Sequence, residues 1–145
     1  MDKISQAQDL IAKYRPELLE NRPVYEAILQ FYSGHSLIET QILDLTYLLK
    51  NSKIELLKAG GESFKECVYN LLDEYPEITT AKGMLRFYEC PLDFDWRECE
   101  KSEIVLGDAL TQDIYGWKPD FWTVFSVERF SAENKFSIFA LCAFS

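Results

Sequence analysis

Apolar residues recur at helical spacing through the first half of the chain and alternate at strand spacing in the last quarter. Ile4, Ala7, Leu10, Ile11 and Tyr14 fall three and four apart, the single stripe of an amphipathic helix. Pro16 and Pro23 follow, each suited to the first turn of a new helix, where the missing N–H has no partner to lose. Val24, Ala27, Ile28, Phe31 and Tyr32 make the next stripe, closed by Gly34 as a C-cap. Ser36-Leu37-Ile38-Glu39 has the spacing of a capping box and opens an apolar face of Leu37, Ile38, Ile42, Leu45, Leu48 and Leu49. Ile54 to Lys58 reads as another short helix. Beyond Gly60-Gly61, a helix from Glu62 to Tyr75 carries Phe64, Cys67, Val68, Leu71 and Leu72, and Pro76 stops it.

Thr79 to Glu89 fits helix or strand by period and is assigned to helix, ending at Cys90-Pro91 because the residue before proline avoids the α region. Ser102 is the predicted N-cap of a helix over Glu103 to Tyr115, with Ile104, Val105, Ala109, Leu110 and Ile114 on its inner side and Asp108 and Asp113 outside. From Phe121 to Phe130 the pattern alternates. A polar break at Ser131-Ala132-Glu133-Asn134 then suits a hairpin loop into a second strand. That last strand is apolar on both faces, which places it in the interior of its sheet. The expected fold is α+β: about four to five helices packed on a small C-terminal antiparallel sheet that includes a hairpin of about 121–130 and 135–144. Residues 1–145 are expected to form a single domain.

Composition agrees with a folded chain, since apolar residues make up 48 % and aromatics 14 % of the 145 residues. The net charge of −9 argues against direct nucleic-acid binding, which runs on Lys and Arg. Residues 1–9 contain no apolar signal region, and no window approaches the roughly 18 apolar residues that span a bilayer; a cytoplasmic protein off the membrane is expected. Cys67, Cys90, Cys99 and Cys142 form no C-x-x-C pair, so free thiols rather than zinc or a redox motif are expected.

Motifs of known chemistry are missing. There is no glycine-rich phosphate loop and no nucleophile elbow, and Lys58-Ala59-Gly60-Gly61-Glu62-Ser63 reads as a plain turn. His35, the single histidine, is either a general base for Cys67, Cys90 or Cys99 or a solvated residue in a link, and the second reading is preferred. In the segment Asp93 to Glu100, the residues Asp93, Asp95 and Glu98 are hard oxygen donors, but their spacing matches no calcium loop. No catalytic residue, metal or cofactor is assigned.

Charge distribution supplies the remaining signal. Residues 73–120 hold twelve acids against five bases, so most of the net charge falls there. Aromatics among charges are the usual anchors of interfaces, and a local acidic field steers a basic partner. The predicted partner-binding surface is Asp93, Asp95, Trp96, Glu98, Glu100, Asp108, Asp113 and Trp117. The expected function is a non-catalytic inhibitor, such as an immunity protein blocking the basic active site of a bacterial nuclease toxin. Two alternatives are a small enzyme or ligand-binding domain with its pocket between helices and hairpin, and a phage protein that mimics nucleic acid.

Overall fold

The computed structural model describes residues 2–32, 42–50, 53–113, 116–117, 122–130 and 135–144; for 42–44, 47, 111–113, 116–117 and 122–130 the backbone alone is described. The fold is α+β, with a sheet between two layers of helices. The first layer is built by the amphipathic stripes. Helix α1, Lys3–Tyr14, is capped by the Asp2 carboxylate, which accepts from the Ser5 N–H at 2.7 Å. A 3-10 turn at Pro16–Glu20 leads to α2, Arg22–Phe31, and then α3, Ile42–Leu49. Ala7, Ile11, Val24, Ala27, Ile28, Phe31, Leu45 and Leu48 bury together against Ile54, Leu85, Phe87, Leu141 and Ala143 of the sheet. Phe87 stacks on Phe139 at 4.8 Å and meets the edge of Phe31 at 4.9 Å. Gly34, His35 and the Ser36–Glu39 capping box lie outside the described residues.

The second layer is α4, Phe64–Glu74, and α5, Trp96–Thr111. It covers the other face of the sheet, where Leu57, Ala59, Met84, Tyr88, Cys90, Ile138, Ala140 and Cys142 point. The sheet contains β1, Lys53–Gly61; β2, Gly83–Cys90; β5, Trp122–Phe130; and β6, Phe136–Phe144, in the order β1-β6-β2-β5. A separate two-residue ribbon pairs β3, Gln112–Asp113, with β4, Gly116–Trp117. Strand β6 runs antiparallel to both β1 and β2, so those two are parallel to each other, and β5 is parallel to β2.

Two segments expected to be helical are strands. Ile54 and Leu57 have helical spacing, yet Ile54 packs into the α1–α3 layer and Leu57 into the α4–α5 layer. In β2 nearly every residue is buried, which erases the alternation that marks a strand with one wet face. The expected hairpin is also not formed. Strand β2 lies between β5 and β6 and bonds to both, so the two C-terminal strands are not neighbours. The interior position expected for β6 is observed.

Strand β1 ends where α4 begins, and the approach is close. Asn70 donates from its side-chain amide to the Gly60 carbonyl at 2.8 Å. A Cβ on Gly61 would stand 3.0 Å from Cβ and Cγ of Glu66 and 3.1 Å from the backbone nitrogen of Cys67. The Glu66 side chain can move aside, but the helix backbone cannot. Gly61→Ala is expected to destabilise the protein by about 1–3 kcal/mol, read as a lower urea midpoint with an unchanged slope. An unshifted midpoint would show that β1 and α4 can separate at no cost.

Candidate functional site at the carboxyl ends of the parallel strands

In sheets with helices packed on both faces, crevices form outside the carboxyl ends of parallel strands, because each chain leaves its strand there and turns into a helix. Strands β1 and β2 both end on this side, and a cleft of about 360 Å³ lies between their exits. Its wall from the β1 side is the start of α4. Ser63 caps that helix, its hydroxyl oxygen accepting from the Glu66 N–H at 3.1 Å, and Phe64 and Lys65 line the cleft. The wall from the β2 side is the loop Pro91 to Asp95. The Asp95 carboxylate accepts from the Arg97 N–H at 2.9 Å, and its carbonyl accepts from Glu98 N–H at 3.0 Å. Helix α5 therefore starts at Trp96, six residues before the cap expected at Ser102. Ser102 is instead buried inside the helix, donating its hydroxyl to the Cys99 carbonyl at 2.8 Å.

The floor of the cleft is aromatic. Phe64 is buried and meets Phe136 edge-on at 4.9 Å and Phe94 at 5.6 Å. Phe94 in turn packs edge-on against Trp96 at 5.4 Å. The rim is charged, with Asp93, Asp95, Glu98 and Lys65. Beside it, Leu92 is 75 % exposed and Trp96 is 40 % exposed. Among the described residues there is no group of three or more His, Cys, Asp and Glu side chains arranged to hold a metal ion.

Asp93, Asp95, Trp96 and Glu98, four of the eight predicted surface residues, thus gather at this cleft. Glu100 is exposed on α5. Asp108 is exposed twelve residues after Trp96 on the same helix, about 18 Å away at 1.5 Å per residue. Asp113 and Trp117 belong to the β3–β4 ribbon beyond the far end of α5, and their side chains lie outside the described residues. The acidic stretch is also less bare than its composition suggests. Asp95 approaches Arg97 at 3.7 Å and Glu98 approaches Lys101 at 3.2 Å. Glu103 is turned inward altogether.

That inward turn ties α5 to the sheet behind the cleft. The Glu103 carboxylate accepts from both Nε, at 2.9 Å, and Nη2 of Arg86, and from the Tyr88 hydroxyl. All three groups sit in the buried layer between β2 and α5. Burial opposes the Arg86 charge, and the adjacent Glu103 carboxylate more than offsets it, so Arg86 stays protonated. Burial, reinforced by Glu103, holds the Tyr88 hydroxyl well above its ordinary value, so it remains a donor. The four cysteines are free and buried. Burial pushes the Cys67, Cys99 and Cys142 thiols up to about 12 and Cys90 to about 11. At neutral pH all four therefore carry their protons, and His35, for which they were candidate partners, lies outside the described residues.

The sequence reading missed Ser63, Phe64, Lys65, Pro91 and Phe136 as part of the cleft. One signal was present: Ser63-Phe64-Lys65-Glu66 has capping-box spacing and marks a helix start next to Gly60-Gly61. Nothing local indicates that Phe136, more than forty residues further on, closes the same cleft.

No protein-family model matches the chain, and no curated protein matches it in sequence. Solved structures do match in fold. The FtsZ W319Y mutant of M. jannaschii superposes with a TM-score of 0.64 over 86 % of this chain at 16 % identity. An FtsZ dimer of the same organism, described as empty, gives 0.60 over 93 % at 17 % identity. GDP-form protofilaments of Bacillus thuringiensis serovar israelensis TubZ give 0.54 over 94 % at 16 % identity. The chain spans 39 % of the length of each. This likeness overturns the expected function. The neighbours are FtsZ and TubZ, not immunity proteins, and what they are described as forming is a dimer and protofilaments rather than a complex with a basic nuclease toxin. The same likeness lends nothing to the nucleic-acid mimic, and the pocket expected between helices and hairpin is not formed there, because β5 and β6 are not neighbours. The acidic face expected from the sequence is also divided: Asp95 and Glu98 stand in ion pairs, and Asp108 and Asp113 lie towards and beyond the far end of α5. At this level of identity the likeness establishes similarity of fold alone.

Proposed function

We propose that this chain is an assembly module that associates with further copies of itself. The observation that carries this reading is that most of the chain superposes on two proteins captured as a dimer and as protofilaments. The module spans 39 % of their length and contains no glycine-rich phosphate loop, so the property carried over is association rather than nucleotide chemistry. Exposed Leu92, Trp96 and Ile104, on the cleft loop and the outward side of α5, supply apolar surface of the kind interfaces use. No helix among the described residues is long and apolar enough to cross a membrane, and the proposed setting is the cytoplasm.

Sedimentation velocity over low to high micromolar concentrations tests this. The average sedimentation coefficient is expected to rise with concentration, and to rise equally with or without added GTP or GDP. A monomer at every concentration overturns the reading.

A further inference from the structure

The two ends of the parallel strands carry different chemistry. At the carboxyl ends, the cleft presents Asp93, Asp95 and Glu98 against the single Lys65 over a floor of Phe64, Phe94 and Phe136. Asp95 and Glu98 share cations with Arg97 and Lys101, while Asp93 has no cation within ion-pair distance among the described residues. Among the described residues the cleft therefore has one carboxylate to spare, and its aromatic floor favours the flat or alkyl part of a cationic side chain.

At the amino ends of the same strands stand lysines. The backbone N–H of Lys82 donates to the Ala143 carbonyl at 2.7 Å, which places Lys82 on one side of the end of β6. Lys53 pairs in register with Phe144 on the other side. Lys53 is engaged by Glu55 at 3.0 Å. Lys82 is exposed and has no carboxylate within ion-pair distance among the described residues. Among the described residues the acids near this end are Glu55, already paired, and Glu77 in the 3-10 turn Pro76–Thr80, whose charges both act on Cys142 near the end of β6. Strand β2, from Gly83 to Cys90, thus separates Lys82 from Asp93, neither of which has an ion-pair partner among the described residues, by about 25 Å of extended chain.

From this polarity we infer that the cleft is the socket for the next copy of this chain, which inserts Lys82 beside Asp93. The inference rests on the proposed self-association and adds its direction. A contact between different ends of identical molecules is heterologous, so it repeats and builds an open row rather than a closed pair. Leu92 and Trp96 flank the socket and shield the pair from water, which strengthens it relative to an ion pair in bulk solvent.

Charge exchange tests the inference. Asp93→Lys makes both ends of a molecule positive at the contact, and Lys82→Asp makes both negative. Both positions are exposed, and circular dichroism checks that each variant keeps the fold. Each variant alone is expected to associate roughly tenfold more weakly than the wild type, the scale of losing and then opposing one charge pair. An equimolar mixture of the two is expected to regain wild-type association, because every junction in an alternating row then joins opposite charges. If the wild type associates while both variants do so equally well, or the mixture shows no recovery, the socket is wrong and self-association stands. A wild type that stays monomeric overturns self-association itself, and the socket with it.

Discussion

Glu103→Ala is expected to lower the unfolding free energy by about 3–5 kcal/mol, measured by urea denaturation followed by circular dichroism. The side chains of Arg86 and Glu103 are 5 % and 10 % exposed, so water cannot replace a partner that is removed. Deleting the carboxylate takes the counter-charge and two hydrogen bonds from a buried guanidinium that cannot lose its proton, and leaves the Tyr88 hydroxyl without this acceptor. The pair itself need not be worth that much. Two charges taken out of water recover little more than their desolvation cost, so Arg86→Met combined with Glu103→Leu and Tyr88→Phe is expected to be far milder than Glu103→Ala alone. What the network supplies is register: it allows α5 one position over β2, and that position aims Asp95, Trp96 and Glu98 at the cleft. If Glu103→Ala stays within 1 kcal/mol of the wild type, α5 is held by its apolar face and not by this network.

Stability is expected to fall steeply as the pH rises from 9 towards 11 and 12, where the four thiols of the folded protein finally ionise. In the unfolded chain the thiols ionise near 9, whereas burial raises Cys90 to about 11 and Cys67, Cys99 and Cys142 to about 12 in the fold. The folded state therefore holds these protons more tightly. Their contribution is complete below pH 9 and is lost as pH rises through the folded values, at up to about 1.4 kcal/mol per thiol for each pH unit. Tyr88 acts in the same direction from its ordinary value upward. Urea midpoints at a series of pH values from 8 to 10.5 check this. A variant carrying both Cys67→Ala and Cys142→Ala is expected to lose stability at neutral pH, from cavities, yet to show a distinctly shallower alkaline fall. Equal slopes in variant and wild type would show that the thiols are not the titrating groups.

Legibility in the sequence followed solvent exposure. Helices α1, α2 and α4 each have one wet side, so their apolar stripes stand out, and Ala7, Ile11, Val24, Ala27, Ile28, Phe31, Phe64, Cys67, Val68 and Leu71 are the residues that bury. Strand β2 has no wet side. Its run of Met84, Leu85, Arg86, Phe87 and Tyr88 has no period to read, and Arg86 inside it looks like a surface residue until Glu103 is brought opposite. Four of the eight predicted surface residues gather at the cleft because they fall within six positions, in one loop and one helical turn. Asp108 and the β3–β4 residues Asp113 and Trp117 were grouped with them by charge density along the chain, a quantity blind to the length of α5.

The sequence alone determined the class of the fold, the amphipathic helices and the central burial of β6, because each depends on the local pattern of apolar and polar positions. It also determined that the unusual chemistry lies between β2 and α5, since Asp93 to Glu98 concentrates aromatics and carboxylates whatever their surroundings. Only the tertiary structure decided the strand order, in which β2 displaces the expected hairpin by pairing with both C-terminal strands. Only it decided which carboxylates face outward, are ion-paired or are buried, and that Phe64 and Phe136 close one cleft. Those properties arise from contacts between residues far apart in the chain, and local spacing carries no record of them.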